Sequence, residues 1–208
     1  MIGVIVAAGK GTRMGSKCKA LEMYKGNRLI QYPLANMSQA DMQEVIIIHN
    51  GPYLPTILGE EYLGMKLTYV EQKERKGIAH AISLVESLSK GEDMFVILGD
   101  CVIDNIAGFP YGIPSYSAVY FKKGWPEDIS ESFTYQDGKF VEKPSEPMTN
   151  MLGMGVYRFT YKIFEAIRKT PKGKNGEIQI TDALNYLHCN QYLVDCNYKN
   201  VNYRSELE

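Results

Sequence analysis

The first stretch of the chain constrains the fold most, because an apolar run leads directly into a glycine-rich, cationic turn. Residues Ile2–Ala8 are apolar and largely β-branched, as in strands that are buried on both faces of a sheet. Gly9 and Gly11 follow, and glycine permits positive φ and a close approach of the backbone to a ligand. Amides in such a turn can form an anion-binding concavity, beside which Arg13 and Lys19 add positive charge. The stretch predicts a phosphate site, with a tight strand-to-helix turn bearing solvated lysines as the alternative.

Two well-known phosphate-binding motifs do not fit this turn. The P-loop requires a second glycine five residues after the first, but that position is Met14 when counted from Gly9 and Ser16 when counted from Gly11. The dinucleotide-binding pattern G-x-G-x-x-G, started at Gly9, also ends on Met14. If the turn binds phosphate, it does so as a different type of loop.

The same turn resembles the signature of the nucleotide-diphospho-sugar transferases. The matching residues are Ala7-Ala8-Gly9-Lys10-Gly11-Thr12-Arg13-Met14, followed by Lys19. These enzymes join a sugar 1-phosphate to a nucleoside triphosphate, and cytidylyltransferases and molybdenum-cofactor guanylyltransferases share a similar opening. The resemblance therefore implies the fold and nucleotidyl transfer, but not the substrate. It also implies that Ala8, Gly9, Gly11 and Thr12 contact the nucleotide.

Composition indicates an ordinary globular protein. The chain has 208 residues, of which 45% are hydrophobic and 23% charged, enough to bury a full core. The net charge of −1 gives no basis for a nucleic-acid or membrane partner. The N-terminal apolar run is too short to span a bilayer and no basic segment precedes it. The four cysteines show no CxxC spacing, so we expect reduced thiols and a cytoplasmic protein.

Strands and helices alternate in the first half of the chain. Such alternation implies right-handed crossovers and a mostly parallel sheet covered on both faces. Together with the resemblance, it predicts an α/β fold: a Rossmann-like three-layer sandwich with a mostly parallel mixed central sheet. The predicted strands are Ile2–Ala8, Glu44–His49, Lys66–Glu71 and Met94–Leu98, and the predicted helices cover Leu29–Ala40 and a segment from Ile78 to about Lys90.

The second half has a different pattern. Phe133–Val141 predicts a hairpin with Asp137-Gly138 as its turn. Further predicted strands are Ser117–Phe121, Leu152–Phe159 and Tyr192–Tyr198, and further predicted helices are Tyr161–Lys169 and Thr181–Cys189. With neither a repeat nor a linker in the sequence, we expect one domain over residues 1–208. Its nucleotide-binding half would end near residue 105, and the sugar-phosphate-binding half would cover about 106–208.

Asp100 is the expected metal ligand. It follows the buried run Met94–Leu98, and in open α/β sheets ligands lie at the carboxyl ends of the strands. Mg²⁺ is usually held by one or two carboxylates with substrate phosphates and water; the alternative is an aspartate that caps the next turn. Leu98-Gly99-Asp100 resembles the family's metal-binding motif. Thymidylyl- and uridylyltransferases for glucose usually have a second metal-binding Asp near the C-terminal end of the domain. Here Asn200–Arg204 is closer to the Val-Asn-Asn-Arg segment of N-acetylglucosamine-1-phosphate uridyltransferases, so Asn202 would offer the metal a neutral carbonyl oxygen instead.

Gln72 and Gly77 are the expected base-binding residues. Their five-residue spacing is similar to that of the Gln and Gly that contact a pyrimidine in sugar nucleotidyltransferases. Because a glutamine amide can flip, we expect backbone groups near Ala8 and Gly77 to decide between bases. This favours UTP or dTTP over CTP, ATP and GTP. His80 lies among apolar helix positions and is assigned no role.

Three segments of the second half resemble sugar-phosphate-binding motifs. Glu142-Lys143-Pro144 matches a Glu-Lys-Pro in which the Glu contacts sugar hydroxyls and the Lys contacts the phosphate. A solvated hairpin lysine is the alternative for Lys143. Gly176–Asp182 resembles Gly-Glu-x-x-Ile-Thr-Asp, which places Glu177 at the sugar. Gly155 keeps the glycine of an Asn-Thr-Gly motif whose other residues differ here, so the identity of the sugar is open.

The resemblance implies a direct displacement at phosphorus. The sugar 1-phosphate would attack the α-phosphorus in line with departing pyrophosphate, and catalysis would consist of positioning and charge neutralisation. Arg13 would hold the pyrophosphate, Lys19 and Lys143 would hold the α-phosphate and the sugar phosphate, and Mg²⁺ would bridge the phosphates. The alternatives are a cytidylyltransferase for phosphocholine or a related acceptor, and a non-catalytic nucleotide-sugar-binding protein. The sequence is compatible with a monomer or a homo-oligomer.

Overall fold

The computed structural model describes residues 1–9, 11, 15, 18–110, 116–173 and 176–207. The strands are β1 (Ile2–Val6), β2 (Met23–Tyr24), β3 (Asn27–Arg28), β4 (Glu44–His49), β5 (Glu61–Tyr62), β6 (Met65–Glu71), β7 (Met94–Leu98), β8 (Cys101–Ile103), β9 (Ser117–Lys123), β10 (Phe133–Gln136), β11 (Lys139–Glu142), β12 (Met151–Phe159), β13 (Cys189–Leu193) and β14 (Tyr198–Asn200). The α-helices are α1 (Gln31–Gln39), α2 (Tyr53–Leu58), α3 (Ile78–Ser83), α4 (Pro126–Glu131), α5 (Lys162–Lys169) and α6 (Ile180–Leu184), and short 3-10 helices cover Lys19–Leu21 and Arg204–Glu206.

The central sheet is mixed but mostly parallel. Within the described ranges it has eight strands in the order β13-β9-β12-β7-β1-β4-β6-β5. β1 is parallel to β4 and β7, β4 is parallel to β6, and β9 is parallel to β13. β12 runs antiparallel between β7 and β9, and β5 is antiparallel at the edge. The carboxyl ends of β1, β4, β6 and β7 therefore share one edge, where ligands bind in open α/β sheets.

Helices cover both faces of this sheet. Alternate residues of β1 point to opposite sides, so Val4 and Ile5 belong to two separate buried clusters. On one face the sheet packs against α3, α5 and α6, with buried Ile82, Ile163, Ile167 and Leu184. On the other it packs against α1, with buried Leu34 and Met37. The predicted three-layer α/β sandwich is confirmed.

The prediction of a single strand over Tyr192–Tyr198 is wrong. β13 ends at Leu193 in the central sheet, whereas β14 begins at Tyr198 and pairs with β8 in a separate ribbon. In the connection between them, the Asp104 carboxylate accepts hydrogen bonds from the backbone N–H and the side-chain amide of Asn197. Two strands therefore replace the predicted one.

The predicted helix Thr181–Cys189 ends earlier, at Leu184, and Cys189 begins β13. Asn185 uses its side chain to bind the backbone N–H and C=O of Phe140, which ties the helix end to β11. The four cysteines are free thiols, as expected. None of the helices in the described ranges has the length and apolar character needed to cross a bilayer.

Candidate active site

Lys19, Asp100 and Asn202 meet at the carboxyl edge of the sheet. The Lys19 ammonium lies 2.5 Å from Oδ2 of Asp100 and 3.3 Å from Oδ1 of Asn202. Asp100 stands just beyond the end of β7, and Lys19 begins the 3-10 helix that follows the opening turn. The Lys19 and Asp100 side chains are only 14% and 24% exposed. Three residues that the sequence predicted separately are therefore in direct contact.

The β8–β14 ribbon brings Asn202 to this position. β8 begins directly after Asp100, and Cys101 is paired with Asn200 of β14. The backbone N–H of Val201 then donates to the carbonyl oxygen of Asp100 at 3.1 Å. Glu206 fixes the following turn, because its carboxylate accepts hydrogen bonds from the backbone N–H of Asn202 at 2.6 Å and of the next residue.

The oxygens of Asp100 and Asn202 suit a hard cation. Both converge on the same ammonium group, so a positive charge already occupies the point that they share. A carboxylate and an amide carbonyl are ligands that Mg²⁺ accepts, and Mg²⁺ commonly needs only one or two protein carboxylates beside phosphates. Among the residues described, no three His, Cys, Asp or Glu side chains lie together as a metal site, so a metal here would need further oxygen ligands from substrate or water.

A cavity of about 140 Å³ lies between the ends of β1 and β7 and the start of α3. Its lining residues include Ala7, Gly9, Lys19, Ile78 and Asp100. A Cβ at Gly9 would meet no atom within 4 Å, so the loop backbone faces open space there. The cavity therefore places the opening loop next to the cluster formed by Lys19.

Of the other predicted nucleotide-binding residues in the opening loop, the structure describes some and not others. Ala8 is buried at the end of β1, and Gly11 has a φ of 58°, as its predicted turn conformation requires. Thr12 and Arg13, predicted to bind nucleotide and pyrophosphate, lie outside the described residues.

Gln72 has a fixed amide orientation. It follows β6 and is 4% exposed. Its Nε2 lies 3.0 Å from the carbonyl oxygen of Gly77 and 2.9 Å from Nδ1 of His80. The expectation of a freely flipping amide is wrong, because a carbonyl oxygen can only accept and must face the amide nitrogen.

Gly77 joins the predicted base-binding and sugar-binding segments. It has a φ of 94°, and a Cβ there would lie 2.6 Å from the carbonyl oxygen of Ile178 and 3.2 Å from Cβ of Glu177. Ile178 also donates its N–H to the carbonyl oxygen of Lys76 at 2.8 Å and accepts from the N–H of Ala79 at 3.3 Å. Glu177 is thereby placed beside Gly77, and no residue within the described ranges binds its carboxylate.

Glu142 and Thr181 connect the two segments that are predicted to bind the sugar. The Thr181 hydroxyl donates to Oε2 of Glu142 at 3.2 Å. Glu142 is exposed as a whole residue, but protein atoms surround its carboxyl group. This desolvation raises the pKa of Glu142, against the hydrogen bond from Thr181 and the positive charge of Lys143. The Glu142 carboxyl can therefore form a hydrogen bond with a sugar hydroxyl.

Lys143 and Gly155 have unusual backbone conformations. Lys143 has a φ of 44°, and its N–H donates to the carbonyl oxygen of Ser132 at 2.7 Å. Gly155 has a φ of 67° where the β12 register shifts, and a Cβ there would lie 2.7 Å from a methyl carbon of Leu98. Gly155 thus allows β12 to approach the strand that delivers Asp100.

Replacing Gly77 with alanine should destabilise the fold more than the same change at Gly138. Both glycines have positive φ, but a Cβ added at the hairpin-turn Gly138 would have no atom within 4 Å, whereas one at Gly77 would face backbone atoms of Ile178. An alanine in a left-handed conformation costs about 1–2 kcal/mol, so G138A measures that cost alone. Free energies of unfolding in urea should show a larger loss for G77A, and equal losses would contradict the tight contact with Ile178.

Sequence reasoning missed His80, Glu206 and Asn50. Asn50 donates from its side chain to the carbonyl oxygen of Gln72 at 2.7 Å and accepts from Arg75, so it supports the base-binding segment. His80 lies in Ala79-His80-Ala81-Ile82, a segment that also resembles the family, but its place among apolar helix positions favoured an ordinary helix residue. Asn50 acts on residues 22 and 25 positions away, which local sequence does not reveal, whereas His80 and Glu206 act within eight and four positions through side-chain contacts that no sequence pattern specified.

Comparisons with known proteins agree with this geometry. The family profile of the MobA-like NTP transferase domain matches residues 3–105, and that of the nucleotidyl transferase family matches residues 134–202. A putative UTP–glucose-1-phosphate uridylyltransferase of Methanocaldococcus jannaschii is 30% identical over 232 residues, which cover 88% of this chain and 81% of that protein.

Two further comparisons concern the length of a related protein and the fold of a solved structure. A low-salt glycan biosynthesis nucleotidyltransferase of Haloferax volcanii is 27% identical over 212 residues, or 94% of this chain, and the alignment spans 59% of that protein. The structure of a putative glucose-1-phosphate thymidylyltransferase from Bacillus anthracis superposes with a TM-score of 0.87 at 23% identity, covering 100% of this chain and 92% of that one. The chain belongs to the nucleotide-diphospho-sugar transferase family of nucleotidyltransferases.

Proposed function

We propose that this protein transfers a uridylyl or thymidylyl group from UTP or dTTP to a sugar 1-phosphate, with release of pyrophosphate. The observation that carries the proposal is the convergence of Asp100 and Asn202 oxygens on Lys19, beside the cavity under the opening loop. That arrangement offers oxygen ligands for a cation and a positive charge beside the loop that is expected to bind the triphosphate. The names of the relatives divide between uridylyl and thymidylyl transfer, so both nucleotides enter the proposal.

The nucleotide would be held by the first half of the chain. The loop backbone at Ala8, Gly9 and Gly11, with Thr12, would face the phosphates. Arg13 would hold the leaving pyrophosphate, as its place in the sequence motif implies. Gln72 and Gly77 lie at the end of β6, on the same sheet edge as the loop, which suits contact with the base.

Asp100 and Asn202 would hold Mg²⁺, which supplies neutralisation of phosphate charge. Lys19 would then leave these oxygens and bind the α-phosphate, because the ammonium and the ion cannot occupy one point. Lys19 would leave the Asp100 carboxylate only if another anion became its partner. The triphosphate is that anion. Metal and nucleotide are thus expected to bind together rather than singly.

The sugar 1-phosphate would lie against the second half. Glu142 and Glu177 would contact hydroxyl groups, Gly155 would leave room at the strand, and Lys143 would hold the phosphate. Two contacts support this arrangement: Thr181 donates to Glu142, and Ile178, which follows Glu177, donates to the carbonyl oxygen of Lys76 next to Gly77. We favour glucose 1-phosphate as the acceptor, since it appears in the names of the relatives.

Steady-state kcat/KM for UTP, dTTP, CTP, ATP and GTP with glucose 1-phosphate tests this proposal. UTP or dTTP should be preferred over CTP by roughly tenfold to hundredfold, because a wrong base leaves a buried polar group unpaired at about 1–3 kcal/mol. Purines should be excluded by size. A preference for CTP, or transfer to phosphocholine rather than to any sugar phosphate, would replace the proposal with a cytidylyltransferase.

A further inference from the structure

The orientation of the Gln72 amide follows from its surroundings. Both hydrogens of its Nε2 are used, one on the carbonyl oxygen of Gly77 and one on Nδ1 of His80. Since Nδ1 accepts a hydrogen bond here, it must be the unprotonated ring nitrogen, and the proton of the neutral imidazole lies on Nε2. Within the described part of the chain, no residue donates to Oε1 of Gln72. Gln72 therefore presents an unused acceptor.

We propose that His80 is a positioning residue that, with the Gly77 carbonyl, holds Gln72 with its Oε1 towards the base and so favours uracil and thymine over cytosine. The inference rests on the proposed function and adds the group that enforces the choice of base. Uracil and thymine carry an N3–H donor, which Oε1 can accept. Cytosine has an unprotonated N3 at that position, so two acceptors would face each other. Uracil and thymine share this edge, and His80 should not separate UTP from dTTP.

Hydrogen bonds fix the backbone around Gln72, which helps to maintain the orientation of its side-chain amide. Its N–H donates to the carbonyl oxygen of His49 at 2.8 Å, and its own carbonyl accepts from the side chain of Asn50 at 2.7 Å. Gly77 is pressed against Ile178, so its carbonyl oxygen has little freedom to move. His80 lies in α3, which begins directly after Gly77. A flipped amide would bring Oε1 against the Gly77 carbonyl and lose that hydrogen bond, and it could keep a bond to His80 only with the Nδ1–H tautomer.

Protonation of His80 would disturb this arrangement. A proton on Nδ1 would point at the Gln72 N–H, so two donors would face each other. Burial lowers the pKa of His80, and the nearby positive charge of Lys76 acts in the same direction while Glu74 opposes it. The selectivity for uracil should therefore persist at neutral pH and fall only when the solution is acidic enough to charge His80.

The test measures the ratio of dissociation constants for UTP and CTP by calorimetry, without sugar phosphate, in the full chain and in two variants. His80→Leu removes the acceptor, and the preference for UTP should fall by about twofold to tenfold, the range of one ordinary hydrogen bond. His80→Asn can place its carbonyl oxygen where Nδ1 was and should retain the preference, without its loss at acidic pH. The ratio of UTP to dTTP should stay constant in all three proteins.

Long-range ¹H–¹⁵N spectra of the imidazole provide a readout that a purely structural role would not explain. They should show the Nε2–H tautomer for His80 at neutral pH. A Nδ1–H tautomer, or an unchanged UTP to CTP ratio in H80L, would overturn the inference. If H80L does not fold, two other measurements test the inference. These are the tautomer of His80 and the pH dependence of the UTP to CTP ratio, compared between the wild-type protein and H80N. Absence of turnover with every nucleotide and acceptor would instead remove the proposed function and leave the tautomer result standing.

Discussion

Replacing Asp100 with alanine should reduce turnover by about 10²–10⁴-fold while leaving the protein folded. The carboxylate is the only acidic side chain in contact with Lys19 among the described residues, and the proposed Mg²⁺ site depends on it. Losing a metal ligand removes several kcal/mol of charge stabilisation in the transition state, which corresponds to that range of rates. The fold should persist because the contact with Val201 uses the Asp100 backbone, which alanine retains. Steady-state kinetics and circular dichroism measure the two effects.

The exposed Asp195, in the connection between β13 and β14, provides the matched control. D195A removes a carboxylate of the same size, and its kcat should remain within about twofold of the wild-type value, as is usual for surface substitutions. Binding of Mn²⁺ in the presence of nucleotide should weaken in D100A and remain unchanged in D195A. A folded D100A protein with near-normal activity would show that the cation site lies elsewhere.

Replacing Lys19 with methionine should have opposite effects on catalysis and on metal binding. kcat/KM should fall by roughly 10³-fold, because a well-placed cation contributes that much to phosphoryl transfer. The free protein should nevertheless bind Mn²⁺ more tightly than wild type, because the ammonium no longer occupies the oxygens of Asp100 and Asn202. Steady-state rates and the electron paramagnetic resonance signal of free Mn²⁺ report the two quantities.

Lys66 is the control for the loss of a paired lysine. It lies 3.9 Å from Glu44 at the surface, where both side chains are well exposed, and such pairs contribute little. K66M should change neither the rate nor the affinity for Mn²⁺. If K19M bound Mn²⁺ no better than wild type, the ammonium would not mark the metal position, even if the rate fell.

Much of the fold could be predicted from local sequence. β1, β4 and β7 are short, β-branched runs, and burial on both faces gives them an unambiguous pattern. The helices α2 and α4 were missed because six residues do not repeat an apolar stripe. The same local reasoning placed Asp100 at the ligand edge, since only the end of a buried strand was required.

The contacts that orient the site could not be predicted in this way. Lys19 and Asn202 are separated by 183 positions, and they meet because the two three-residue strands β8 and β14 form a ribbon. Strands this short have little periodicity to detect. The orientation of Gln72 depends on a carbonyl group and on one nitrogen of His80, and a sequence specifies neither. Motifs therefore named the candidate groups, whereas tertiary contacts decide their hydrogen-bond partners and whether they donate or accept.

Phosphorus NMR of the complete reaction is the decisive test of the proposed nucleotidyl transfer. The purified chain would be incubated with Mg²⁺, UTP and glucose 1-phosphate, and with dTTP in a parallel sample. We expect loss of the triphosphate and of the sugar phosphate, with equimolar appearance of pyrophosphate and of a sugar-linked diphosphate, and the same changes at least about 10²-fold slower in D100A. Hydrolysis of the triphosphate without the sugar-linked diphosphate, or no reaction with any sugar 1-phosphate, would contradict the proposed transfer.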